Sequence, residues 1–212
     1  MSKSDSISMS VIRRLPRYYR FLSELDEQHV ERISSNRLAQ IMHVTASQVR
    51  QDLNCFGGFG QQGYGYSVGQ LRREIQNILG LNNRRPAVLI GAGNFGTAIA
   101  HHIDFEKLGF SLAGCFETDE GKIGSRLMDG IIIRNEAELE SFCREQKIEA
   151  AFLCIPKQTA ESVIGRLYRL GVRCYWNFSH YDIAAKYPDA IVENVHLNDT
   201  LMTLSYRITN SN

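Results

Sequence analysis

Arg85-Pro86-Ala87-Val88-Leu89-Ile90-Gly91-Ala92-Gly93-Asn94-Phe95-Gly96-Thr97-Ala98-Ile99-Ala100 reads as a buried strand, a glycine turn and the first turns of a helix. Val88, Leu89 and Ile90 form the short apolar run expected of a parallel strand covered on both faces. Gly91, Gly93 and Gly96 fit G-x-G-x-x-G: the first permits the tight turn, the second lets backbone approach a pyrophosphate, and the third lets helix and strand pack closely. Backbone N–H groups of Ala92, Asn94 and Phe95 at a helix N-terminus suit phosphate. A second strand, Ser111 to Phe116, ends in Glu117, roughly twenty residues downstream, where the fingerprint places an acid for the ribose hydroxyls. Thr118 is counted with it. Asp119 adds negative charge and no arginine follows at once, so NAD(H) is favoured over NADP(H). Alone the glycine motif is weak; a Rossmann-like domain with an empty cleft, or one holding another nucleotide such as CoA, fits the same residues.

The rest of the C-terminal two thirds alternates in the same way. Residues 119–124 read as a loop and 130–133 as a short strand, with an amphipathic helix over 136–147. Residues 149–156 are a buried strand stopped by Pro156, residues 159–170 a helix ending at Gly171, and residues 172–178 a last strand. Such alternation predicts a doubly wound parallel sheet. Ligands of these sheets lie beyond the carboxyl ends of the strands, which puts Ile155, Pro156, Asn177 and Phe178 near the nicotinamide end. A tail helix over 197–208 carries a stripe of Leu197, Leu201, Leu204 and Ile208, to pack on its own sheet or to dock on a second subunit.

The N-terminal third has a different pattern. Leu15, Tyr18, Leu22 and Leu25 recur at helical spacing, with Pro16 in a first turn. Arg13, Arg14, Arg17 and Arg20 are within reach of phosphates or form a solvated basic face. Ser34-Ser35 caps a helix over 36–42, His43-Val44 connects, and Thr45 caps a second helix over 46–56, the spacing of a helix-turn-helix. Val49, Leu53 and Phe56 face the core, leaving Ser47, Gln48, Arg50 and Gln51 to read base edges. Residues 56–68 look like a glycine-rich hairpin, so the whole is a winged helix. Gln61 and Gln62 lie at its tip, and Tyr64 and Tyr66 are expected to pack the wing. A helix over 68–79 closes the domain before a linker at 81–86.

Composition is that of an ordinary globular chain, 43% hydrophobic with a net charge of +1. Residues 1–80 hold ten Lys/Arg against seven Asp/Glu, which places any polyanionic partner at the N-terminus. No apolar run approaches the ~20 residues of a membrane span, and Met1 to Met9 lack a signal core, so a cytoplasmic protein is expected. Five scattered cysteines, without C-x-x-C, exclude a zinc site and a disulfide framework; only Cys55 invites attention as a thiol. His101 and His102 lie in the first Rossmann helix and read as structural rather than catalytic. No catalytic constellation is apparent.

Arg14-Leu15-Pro16-Arg17-Tyr18-Tyr19, residues 45–66 with Val49-Arg50-Gln51-Asp52-Leu53 and Phe56-Gly57, then Gly91 to Gly96, Phe116-Glu117, Ile155-Pro156 and Asn177-Phe178 resemble, in order, the Rex family of bacterial redox-sensing repressors. The resemblance implies an N-terminal winged-helix DNA-binding domain (1–80), a doubly wound Rossmann domain for NAD(H) (81–192) and a C-terminal dimerisation helix (193–212) exchanged between the subunits of a homodimer. It implies binding to a double-stranded operator with inverted half-sites, and release when NADH replaces NAD+. Carried over, Thr45, Ser47, Gln48, Arg50 and Gln51 lie at the major groove and Gln61-Gln62-Gly63 at the minor groove. Arg14 touches DNA, and Gly91, Ala92, Gly93, Asn94, Phe95, Gly96, Glu117 and Thr118 hold the dinucleotide. Gln51 and Gln62 stand where many members are basic, and His102 and His196 where many have Tyr and Asp. Read without the resemblance, the residues also suit an NAD-dependent oxidoreductase with an N-terminal helical dimerisation domain, or a CoA- or nucleotide-binding interaction module.

Overall fold

The structure, a computed structural model, describes residues 7–57, 59–61 and 64–211. The chain divides into two compact units, one up to Asn82 and one from Asn83. The first begins with α1 (Met9–Ile12) and α2 (Leu15–Glu27), the latter with Pro16 in its first turn, where proline's missing N–H is not needed. β1 (Arg32–Ile33) leads into α3 (Ser35–Met42) and α4 (Ala46–Asn54). Both helices start on side-chain caps: Ser34 Oγ accepts from Arg37 N at 3.1 Å and Thr45 Oγ1 from Gln48 N at 3.1 Å. Between them His43 takes a left-handed φ of 50° and ends α3. β2 (Gly60–Gln61) and β3 (Gly65–Ser67) form the wing and α5 (Val68–Ile78) closes the unit. The core joins Leu15, Tyr18 and Leu22 of α2 to Leu38, Val49, Leu53, Leu71 and Ile75.

The wing differs from the sequence reading in two respects. It has a third strand: β1 pairs antiparallel with β3, Ile33 opposite Tyr66, giving the order β1-β3-β2. Gly65, at φ +70°, is pressed so close that a Cβ would lie 2.5 Å from the Ile33 carbonyl oxygen. And the two tyrosines part company. Tyr66 is buried in the core, but Tyr64 is 71% exposed and meets the wing only through Arg32 of β1, its ring beside the guanidinium. Gln62 and Gly63 lie outside the described residues.

The second unit is a seven-stranded sheet in the order β10-β9-β8-β4-β5-β7-β6. Its elements are β4 (Arg85–Ile90), α6 (Asn94–His102), β5 (Phe110–Glu117), β6 (Arg126–Met128), β7 (Ile131–Asn135), α7 (Leu139–Gln146), β8 (Ala150–Leu153), α8 (Lys157–Arg169), β9 (Cys174–Asn177), α9 (Ile183–Lys186), β10 (Ile191–Asn194) and α10 (Leu197–Thr209). All strands are parallel except β6, which runs antiparallel to β7. Alternate residues of β4 serve opposite layers: Val88 and Ile90 pack with α7, α8 and α9, Ala87 and Leu89 with α6 and Phe105. β4 begins at Arg85, inside the expected linker, and β6, α9 and β10 were not foreseen. The chain leaves β4 toward β5 on one side and returns to β8 on the other, so the switch in strand order lies at the glycine turn.

Candidate functional site

At the end of β4 each glycine is required for a different reason. Gly91 has φ +95°, and a Cβ there would lie 2.5 Å from the Cys154 carbonyl oxygen and 2.9 Å from Ile155 Cγ2. A Cβ on Gly96 would overlap the Gly91 carbonyl oxygen, so α6 rests directly on the turn. A Cβ on Gly93 would meet nothing within 4 Å. The one glycine with open space before it is the one the fingerprint reserves for pyrophosphate. Gly93 also precedes α6 as an N-cap without a side-chain cap, leaving the helix's first N–H groups and dipole end for an anion. The residues present thus fit a dinucleotide.

The other expected cleft residues converge on this turn, with one exception. Glu117 Oε2 accepts from Ala92 N at 2.8 Å and Oε1 from Thr118 N at 2.7 Å and Asp119 N at 3.3 Å. Burial pushes its pKa up, but these backbone donors outweigh burial and hold the carboxylate below its usual range. Phe95 of α6 and Phe178 after β9 meet edge to face at 5.0 Å, while Ile155 abuts Gly91 and exposed Pro156 starts α8. Asn177 is the exception. Its amide nitrogen donates to Tyr181 O and Asn194 Oδ1 and its oxygen accepts from Ser179 N and Oγ, all at 2.6–3.0 Å, so its 1% exposed side chain is an internal peg with nothing to offer a ligand. Cys115 and Cys154 have thiols pushed up to about 12 by burial and belong to the packing. His101 and His102 are exposed at the C-terminal end of α6 and are not part of its packing face. His196, the residue before α10, stacks on His180 with Nδ1 atoms 2.7 Å apart.

In the first unit, Ser47, Arg50 and Gln51 are exposed along α4, as the spacing predicted, with Thr45 at its cap. Arg50 Nη1 donates to Ser35 Oγ at 3.0 Å, which ties the side chain to the start of α3. Two of the expected DNA-facing side chains also bond inward. Arg14 Nε and Nη2 both donate to Asp52 at 2.7 Å, while 32% of its side chain stays exposed. Gln48 donates its amide nitrogen to Asp52 Oδ1 at 2.8 Å. Burial raises the Asp52 carboxyl, and hydrogen bonds from Arg14, Gln48 and Tyr18 more than reverse this, so it stays ionised. Asp52 and Tyr18 were missed as members of this group. The signal was there: a lone carboxylate in register with the core residues Val49 and Leu53. Among the described residues no cluster of three or more His, Cys, Asp or Glu is placed to hold a metal.

Comparison with known proteins agrees with this division. Residues 6–54 match the family described as putative DNA-binding protein N-terminus, and residues 82–181 match the CoA binding domain. The redox-sensing transcriptional repressor Rex of Thermoanaerobacter pseudethanolicus is 50% identical over 209 residues, 98% of this chain and 92% of that protein. The protein of the same name from Clostridium novyi is 46% identical over 212 residues, all of both chains. Among solved structures, RSP in complex with β-NAD+ and operator DNA superposes with a TM-score of 0.88 at 46% identity, covering 97% of this chain and 94% of that one. RSP in complex with β-NADH gives 0.88 at 45% identity, covering 97% and 96%.

Proposed function

This chain belongs to the Rex family of redox-sensing transcriptional repressors, and from that premise we propose how its own residues carry the family's work. It is a repressor that binds operator DNA through α4 and the wing and leaves it when NADH occupies the second unit. The observation that carries this reading is the open space before Gly93, on a chain whose other unit exposes Ser47, Arg50 and Gln51 on one helix. Gly91, Ala92, Gly93, Asn94, Phe95 and Gly96 hold the pyrophosphate, Glu117 and Thr118 the adenosine ribose, and Ile155, Pro156 and Phe178 the nicotinamide end. A ribose hydroxyl takes over the weaker contacts of Glu117, such as that from Asp119 N at 3.3 Å. When bound, NADH supplies a neutral reduced ring where NAD+ supplies a cation; a lining of Phe95, Phe178 and Ile155 favours the neutral form. Arg50 and Gln51 read bases, Ser47 and Thr45 bases or phosphate, and the wing of β2 and β3 enters the minor groove.

The working unit is a homodimer on inverted half-sites. Leu197, Leu201, Leu204 and Ile208 are each at least half exposed on α10, and no residue of that helix is buried. An apolar hollow of about 290 Å³ lined by Phe105, Phe110, Phe152, Trp176 and Ile191 also lies uncovered on the sheet face that carries α6. Exchange of the tail helices between two subunits supplies α10 with the cover it lacks. A repressor of this kind works on genomic DNA and hence in the cytoplasm. The rival reading, hydride transfer to a substrate, predicts steady NADH oxidation with small carbonyl compounds; the effector reading predicts none. CoA is separated from NAD(H) by which of them raises the melting temperature.

The decisive experiment is a titration of NADH with and without saturating operator. Differential affinity for the two states is the only way the effector can act, and by linkage DNA must weaken NADH binding by the factor by which NADH weakens DNA binding. Equal NADH affinities in the two titrations would refute the proposal.

A further inference from the structure

Asp52 does something that the winged-helix fold alone does not require. It is 1% exposed and accepts four hydrogen bonds. Oδ1 receives Arg14 Nη2 at 2.7 Å and Gln48 Nε2 at 2.8 Å; Oδ2 receives Arg14 Nε at 2.7 Å and Tyr18 Oη at 3.0 Å. Four donors match the acceptor capacity of a carboxylate. For stability alone, well-packed apolar residues serve as well as a buried ion pair, or better. What the carboxylate adds is direction. It only accepts, so the amide of Gln48 must turn its nitrogen inward; the reverse orientation sets Oε1 against Oδ1, two acceptors at hydrogen-bond distance. Gln48 Oε1 is thereby left without a partner among the described residues.

Resting on the reading that α4 enters the major groove, we propose that Arg14, Tyr18 and Asp52 are positioning residues that fix Gln48 as a carbonyl-outward reader, selecting an operator base that displays an amino group. A glutamine free to turn presents oxygen or nitrogen and serves either kind of base edge. A fixed carbonyl finds a donor on adenine N6 or cytosine N4 and meets an acceptor on guanine O6 or thymine O4. A single contact of this kind discriminates by about threefold to tenfold.

The test is selection of duplexes from a random library by the full chain, by Gln48→Ala, by Arg50→Ala, and by the double substitution Arg14→Met/Asp52→Leu, which removes both charges together. In the parent set one base pair of each half-site is expected to keep a single orientation, with its amino-bearing base, adenine or cytosine, always on the same strand. That preference falls by about threefold to tenfold in both the Gln48→Ala and the double-variant sets, while the positions that depend on Arg50 persist. A Gln48-dependent position that accepts both orientations of its base pair equally, or an undiminished preference in the double variant, overturns the proposal. Should the double variant show no thermal unfolding transition, Asp52→Asn takes its place. Its amide offers Gln48 a donor as well as an acceptor, frees the glutamine to turn, and is expected to erase the same preference. If only Arg50→Ala alters the selected sequences, the positioning proposal falls and the groove reading stands. If neither Gln48→Ala nor Arg50→Ala alters them, both fall.

Discussion

Two glycines three residues apart in the turn after β4 are expected to fail in opposite ways. At Gly96 any side chain overlaps the Gly91 carbonyl oxygen, so Gly96→Ala must lift α6 or open the turn; overpacking of this kind costs about 1–3 kcal/mol or more. The expected outcome is a lowered melting temperature even without cofactor. Gly93 has an extended backbone (φ −65°, ψ 178°) that valine tolerates and empty space ahead of it. Gly93→Val should melt like the parent without cofactor, gain no stabilisation from NADH, and stay on the operator when NADH is added; a normal NADH shift would show that the pyrophosphate lies elsewhere. A third side chain gives a pH prediction. Arg166 holds the Glu140 carboxyl down to about 2, through Nε at 2.5 Å and Nη2 at 2.8 Å, against an opposing effect of burial. Since the folded value lies below the ordinary 4.5, this pair's stabilisation is complete above pH 4.5 and is lost as pH falls toward 2. Melting curves across that range should lose part of their slope in Glu140→Gln.

At the scale of elements, α10 offers the cleanest test because it touches so little. Its stripe is exposed, so Leu201→Arg with Leu204→Arg removes no packing within the protomer. Light scattering is expected to report half the parent mass, with an unchanged far-ultraviolet spectrum and weakened operator binding; a parent-sized species would leave the tail with no role in assembly. The same contrast between local and distant causes decides what the sequence made legible. The strand, turn and helix around Gly91 to Gly96 are specified by neighbours in the chain, as are the capped helices α3 and α4, and all were readable. β1, β6, β10 and α9 were not. They are two to four residues long and exist by pairing or packing elsewhere, as Arg32 does opposite Ser67, 35 positions on. Side-chain destinations fail for the same reason. Residue type marked Arg14, Gln48 and Asn177 as able to bind a ligand, but it did not show that each also hydrogen-bonds inside the protein, to Asp52 or to Tyr181 and Asn194, partners that no local spacing announces.

At the scale of the whole molecule, the charge distribution and the proposed dimer set what the switch can do. The net excess of Lys/Arg lies in residues 1–80 and is small, and Arg14 is held by Asp52. With so small an excess, operator affinity is expected to depend only shallowly on salt, which would leave most of the discrimination to base contacts on the proposed pair of half-sites held at one spacing. A dimer that reads DNA only when both heads are in register has two states, and a ligand moves that equilibrium only by its differential affinity. Turning 99:1 into 1:99 takes a factor of about 10⁴. Two equivalent NADH sites acting on one concerted transition need supply only about 100-fold each. A heterodimer of one parent subunit and one Gly93→Val subunit, purified through two different tags, tests this division. With a single working site, saturating NADH is expected to bring operator occupancy from near complete to about one half, measured by fluorescence anisotropy at a fixed operator concentration. Full release by the heterodimer would assign the whole factor to one site, and no release would show that the transition is not shared between the subunits.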